Sequence, residues 1–184
     1  MANGNLQFRI ATPADAERIQ ELVQAAFRAE DTRERWTGDT ELSKRFRVGV
    51  DEVMVNITKP DSATLMATDS DGVLVASLEV SKRSADLARL SMLAVDQHHH
   101  RGGFGRQVLA YAEKYCRLEW GSTRLSLNAL STREELIAWY ERCGFRRTGD
   151  MSPFPRERFT DFALPEDLCF VELEKDLSTT ADTP

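Results

Sequence analysis

The chain has 184 residues, 41% of them hydrophobic and 29% charged, with a formal net charge of −6. That length suits one domain with a substantial core, and that composition excludes a disordered chain. The acidic balance argues against nucleic acid as a partner, because phosphates call for a basic face, and no stretch approaches the roughly 18 apolar residues of a membrane span.

The predicted elements run as follows. LQFRIA, from Leu6 to Ala11, alternates apolar and polar side chains like a half-buried strand. TPAD follows, where Thr12 can cap a helix, Pro13 suits its first position and Asp15 favours its positive end. Ile19, Leu22, Val23, Ala26 and Phe27 then recur at helical spacing. From Asp31 to Lys44 the pattern weakens and polar residues dominate. A second, shorter helix is predicted over Val50 to Lys59, stopped by Pro60. ATLMAT (63–68) and GVLVASLEV (72–80) flank DSDG, a hairpin signal, and ARLSMLAV (88–95) follows as a third strand.

Residues 105–119 place Val108, Leu109, Ala112, Tyr115 and Cys116 on one helical stripe, with Gly121 as its cap. TRLSLNAL reads as a strand. STREELIAWYERCG reads as a helix, with Ser131 and Glu134 spaced as a capping box and Gly144 ending it. FRRTG returns as a short strand, LCFVELEKDL (168–177) supplies the last, and residues 178–184 are expected to fray as a disordered tail. No repeat or linker divides residues 1–184, so a single domain is expected. Helices lie between strands without strict alternation, which predicts a mixed sheet covered by helices.

Cys116, Cys143 and Cys169 are odd in number and widely spaced, with no CxxC pair. That usage fits reduced thiols in the cytoplasm, and the N-terminal stretch lacks the basic and apolar segments of a secretion signal.

The stretch VDQHHHRGGFGRQVLAYAE (95–113) sets three adjacent histidines against a glycine-rich turn, which by itself fits either a ligand site or a tight turn with an ordinary helix cap. Gly102, Gly103 and Gly105 let the backbone turn sharply and approach a ligand, and the next residues open a helix whose free amides and positive end suit a phosphate. Neither GxxxxGK[ST] nor an intact GxGxxG is present. The three adjacent histidines, His98 to His100, would point in alternating directions in an extended loop and so cannot easily close on one metal, and no metal is expected.

LSMLAVDQHHHRGGFGRQVLAYAE resembles the acetyl-CoA-binding segment of the GNAT superfamily of N-acetyltransferases, in which a strand leads to a [Q/R]-x-x-G-x-[G/A] turn that opens a helix. Gly103 and Gly105 fall on the two small positions, and His100 stands where the pattern has Gln or Arg. LSTREELIAWYERCGFRRTG resembles the family's later helix, with Tyr140, Gly144 and Phe145 on its fixed positions. The resemblance spans residues 6–177.

It implies an α/β (α+β) fold: a mixed, mostly antiparallel central sheet of about six to seven strands flanked by about four helices. It implies acetyl-CoA as co-substrate and direct acetyl transfer to an amine. The backbones of Leu93, Ala94 and Val95 would bind the pantetheine arm. His100, Arg101, Gly102, Gly103, Phe104, Gly105 and Arg106 would cradle the pyrophosphate, and Ser131 would contribute to the same site. Tyr140 would protonate the departing thiolate. A base is also required, because an ammonium cannot attack a carbonyl. Glu79 is the candidate, though alternation alone leaves open whether it faces the acceptor or solvent, and a water chain is the alternative. Trp36 and Phe154 are candidates to line the acceptor pocket for a small-molecule or peptide amine. A homodimer formed through the apolar last strand is a further expectation. The competing reading is a non-catalytic acyl-CoA-binding module of the same fold.

Overall fold

One sheet organises the chain. Its strands are β1 (Gln7–Ile10), β2 (Ser62–Thr68), β3 (Leu74–Lys82), β4 (Leu87–Val95), β5 (Arg124–Leu130), β6 (Arg146–Pro153) and β7 (Cys169–Asp176). They lie in the order β1-β2-β3-β4-β5-β7-β6, and every neighbouring pair is antiparallel except β4 with β5. The helices are α1 (Ala16–Arg28), α2 (Thr40–Lys44), α3 (Val50–Thr58), α4 (Phe104–Trp120) and α5 (Glu134–Arg142). This computed structural model describes residues 5–29, 33, 35–99 and 101–178.

The element order follows the expectation, with two differences. The first is α2, which lies in a polar stretch without periodicity. Asp39 caps it by accepting from the Leu42 amide at 3.0 Å, and Leu42 alone is buried, against Phe154 and Leu168. One anchored residue leaves no pattern to read, because so short a helix depends on tertiary packing. The second is β6, which runs to Pro153 through a bulge between Arg147 and Met151, where Gly149 has φ +91°. Its side chains are almost all exposed, so no alternation marks it.

Leu65 and Met66, neighbours in β2, point to opposite faces and seed two cores. On one face, Leu65, Leu78, Leu90, Leu127 and Leu173 pack with Val108, Leu109 and Ala112 of α4 and with Ile137 and Tyr140 of α5. On the other face, Ile19, Leu22 and Val23 of α1 and Val53 of α3 pack on Met66 and Ala94. Lys175 of β7 ties the first layer together, bonding Glu113 of α4 at 2.7 Å and the Cys143 carbonyl behind α5 at 2.8 Å.

β7 is paired along both edges, with β5 and β6. The expected pairing of the last strand with a second copy therefore has no edge to use. Its apolar character reflects a central position in the sheet, whose outer strands are β1 and β6. The three cysteines are unpaired thiols, and burial pushes Cys116 up to about 12, which keeps it protonated. No helix among the described residues is long and apolar enough to cross a membrane.

Candidate active site

The site begins where the sheet comes apart. β4 and β5 are paired only from Leu87 to Arg89 and from Arg124 to Ser126. Beyond those residues β4 stays with β3 and β5 stays with β7, so the two strands diverge toward their C-terminal ends. A bulge in β4 marks the place. Glu79 faces Ser91 and Ser77 faces Ala94, so β4 carries one residue more than β3 across that interval. Met92 absorbs it in the left-handed region, at φ +54°. A non-glycine residue held there costs about 1–3 kcal/mol, and such strain concentrates at functional sites. The bulge also resets the alternation. Leu93 and Val95 turn toward the α4 layer, while Ala94 is buried in the α1 layer.

β4 delivers the chain to the glycine turn. Gly103 is the N-terminal cap of α4, with φ +71° and nothing within 4 Å of where a Cβ would stand. The helix following it is 17 residues long and has no acidic residue in its first turn, whereas α1, α3 and α5 all do. The first-turn amides of Phe104, Gly105 and Arg106 have no partner within the helix, and the positive dipole end is left for an anion. Gly105 answers a packing need: a Cβ there would meet the Trp139 ring at 3.3 Å. Replacing Gly103 by valine is expected to cost about 1–2 kcal/mol of stability through the left-handed backbone alone, and asparagine less. Thermal unfolding of the two variants without ligand measures the difference.

The histidines serve the loop. Asp96 Oδ1 accepts from the His98 amide at 2.9 Å and lies 3.2 Å from His99 Nδ1, and the His99 ring leans on Phe104. His100 lies outside the described residues. Arg101 is exposed on the turn, while Arg106 reaches away to the Arg142 carbonyl at 3.4 Å.

Tyr140 is buried on α5 between Trp139 and Phe145, with ring centroids at 5.1 and 5.8 Å. Burial pushes its phenol up to about 12, against the opposing pull of the Arg133 charge. Trp36 joins this group. Its ring meets Trp139 edge-on at 6.4 Å, and its carbonyl accepts from Arg133 Nε at 2.9 Å. Trp36, Gly105 and Tyr140 are thus linked through one ring, that of Trp139. Phe154 stands elsewhere, buried among Leu42, Phe159, Leu168 and Phe170. Ser131 is occupied by the sheet, its Oγ accepting from the Cys169 amide at 3.2 Å. α5 starts only at Glu134, so the expected capping box with Ser131 does not form.

Glu79 is 9% exposed, in the middle of the sheet. Asn56 of α3 donates from Nδ2 to its Oε2 at 2.8 Å, and Ser91 also hydrogen-bonds it from across β4. Burial is the largest influence and outweighs those two donors, and with Glu52 nearby the carboxyl is pushed up to about 6. Asn56 and Ser91 were not legible in the sequence. Each is a lone polar residue in an ordinary pattern, and only the packing of α3 and the β3–β4 register bring them to Glu79. Among the described residues no group of three His, Cys, Asp or Glu side chains is arranged to hold a metal ion.

The model of the acetyltransferase (GNAT) family matches residues 17–145. No curated protein sequence matches the chain. Among solved structures, the chain is similar to the ribosomal-protein-S18-alanine N-acetyltransferase from Escherichia coli, with TM-score 0.69 and 16% identity over 97% of this chain and 98% of that one. It is also similar to a spermidine N-acetyltransferase from Vibrio cholerae in complex with CoA and spermine, with TM-score 0.67 and 16% identity over 94% and 96%. A GNAT-family acetyltransferase from Staphylococcus aureus gives TM-score 0.67 at 13% identity over 94% and 99%. With the family match spanning the diverging strands, the glycine turn and the tyrosine helix together, the chain belongs to the GNAT family of acetyltransferases.

Proposed function

We propose that the chain passes an acetyl group from acetyl-CoA directly to the amine of a small-molecule or peptide acceptor. The observation that carries this reading is the parting of β4 from β5 just ahead of the glycine turn. A gap between two strands exposes main-chain groups that an amide-bearing arm can pair with, and the turn beyond it is suited to a pyrophosphate. Leu93, Ala94 and Val95 would hold the arm. Gly103 and the first amides of α4 would hold the pyrophosphate, with Arg101 adding charge.

Bound acetyl-CoA supplies the acyl group and a thiolate leaving group. Glu79, a carboxylate above pH 6, takes a proton from the acceptor ammonium to free its lone pair. Asn56 and Ser91 hold that carboxylate in one orientation, so the base is set before the acceptor arrives. Tyr140 keeps its proton at every working pH and can give it to the departing sulfur; the second proton, shed by the nitrogen as it becomes an amide, restores the phenol, and Glu79 returns its own to solvent. Tyr140 is buried, with Trp139 tilted against it and Trp36 edge-on to Trp139.

Thermal unfolding with acetyl-CoA, CoA, NAD and ATP tests the reading. A ligand at a hundredfold excess over Kd adds about 2.7 kcal/mol, which for a chain of this size raises Tm by roughly 5–10 °C. Stabilisation by acetyl-CoA and CoA alone is the expected result. A larger shift with NAD or ATP would sink it.

A further inference from the structure

Resting on the acetyl-transfer reading, we infer that the open polar cavity beside Glu79 binds the far end of the acceptor, and that this end carries a carboxylate rather than a second ammonium. The cavity measures about 570 Å³ and lies on the sheet face that α1 and α3 cover elsewhere. Its floor and walls include Arg83, Arg89, Ser126, Asp150, Glu172 and Glu174.

The strand register sets the cavity next to the base. Ser91 is opposite Glu79, and Arg89 precedes Ser91 by two residues on the same face of β4, before the bulge. Two residues along a strand are roughly 7 Å, so an amine at Glu79 puts its far end near the Arg89 guanidinium if the spacer is about six bonds long.

The charges on the cavity select the sign of that far end. A polyamine needs carboxylates without a cation of their own, and the two central acids have theirs. Glu172 Oε2 is 3.0 Å from Arg89 Nη1, and its Oε1 accepts from Ser152 at 2.5 Å and Asn128 at 3.2 Å. Burial works to raise that carboxyl, but these donors outweigh it and hold it below the usual range. Glu174 is likewise paired, with Arg124 at 3.1 Å.

On the basic wall the situation is reversed. Arg89 spends Nη1 on Glu172 and Ser126, keeps further N–H groups, and is fixed in place by those bonds. Arg83, exposed on the rim, makes no ion pair with any described residue. Asp150 also lines the cavity, but it stands on the exposed strand β6, where solvent and salt screen it. A carboxylate about 7 Å from the amine, as in a dipeptide or an ω-amino acid, therefore meets the Arg89 guanidinium, with Arg83 one strand step beyond it on the rim adding positive charge.

The test compares acceptors of equal length that differ at one end. Aminohexanoate, diaminohexane and hexylamine are supplied with saturating acetyl-CoA, and kcat/KM is measured for each. Aminohexanoate is expected to exceed both others by about tenfold, a typical margin for one charge-assisted hydrogen bond. In Arg83→Glu, an exposed change, KM for aminohexanoate is expected to rise about fivefold with kcat and KM for acetyl-CoA unaltered, and diaminohexane is expected to gain. Diaminohexane as the better substrate, aminohexanoate no better than hexylamine, or an unaltered preference in Arg83→Glu each overturn the inference. Transfer to none of the three while acetyl-CoA still stabilises the protein overturns this inference alone, whereas absence of stabilisation by acetyl-CoA overturns the acetyl-transfer reading, so the two failures are told apart.

Discussion

Replacing Tyr140 by phenylalanine is expected to lower kcat by about a hundredfold or more, the usual range for loss of a positioned acid, while KM for acetyl-CoA stays within about twofold. The substitution keeps the ring, so its contacts with Trp139 and Phe145 and the first core are preserved. What it removes is the one proton that Tyr140 can donate. A phenol near 12 is a weak acid beside a thiol near 8.5, and in water the transfer would be uphill by about 3.5 units. The same burial that raises the phenol also destabilises a thiolate left in the site, which narrows the gap. Steady-state kinetics with both substrates varied, together with a CoA titration of the variant, separates the roles. Equal loss of turnover and of cofactor binding would assign Tyr140 to packing around the cofactor instead.

Glu79→Gln is expected to move activity and stability in opposite directions. Activity should fall by about 10²–10⁴-fold, because glutamine cannot take a proton. In the parent protein kcat/KM should decline below pH 6 as Glu79 is protonated, and that acid limb should be missing from the residual activity of the variant. Stability should rise. A carboxyl whose pKa goes from about 4.5 unfolded to about 6 folded binds more protons in the native state, so it weakens the fold as pH rises through that window. The full penalty is present above pH 6 and amounts to about 2 kcal/mol at most. Glutamine removes it and can still accept from Asn56 and donate to Ser91. The variant should therefore melt roughly 4–8 °C higher at pH 7, with no difference near pH 4. A variant that is inactive but less stable at pH 7 would make Glu79 structural.

Asn56 separates the two readings further. Without its donor the Glu79 carboxylate is less well held, so Asn56→Leu should shift the acid limb of the pH profile upward, a change that a merely structural contact would not make. A profile that keeps its acid limb near pH 6 would leave Asn56 with a packing role alone.

Some of this was legible because it is local. The glycine turn and the start of α4 occupy consecutive residues, and Tyr140, Gly144 and Phe145 sit at fixed spacing about one helix end. Their residue types report directly on backbone needs: Gly103 at φ +71°, Gly144 at φ +97°. Strand and helix periodicity likewise marked most of the sheet and four of the five helices, since a buried face repeats every second residue in a strand and about every third or fourth in a helix. Where that repeat was lacking, α2 went unread and the exposed strand β6 was read only over its first half.

The amino-acid sequence by itself determined the family, most of the element order and the place of Tyr140 on α5, because each is written in a short contiguous stretch whose conformation its own residues dictate. Only the tertiary structure decided the bulge at Met92, the parting of β4 from β5, the surroundings of Glu79 and the charge balance of the cavity. Those depend on residues brought together from Asn56, Glu79 and Ser91, or from Arg89 and Glu172. Pairing across such distances is set by register and by what each face buries, and one residue gained or lost in β4 reverses which side chains meet.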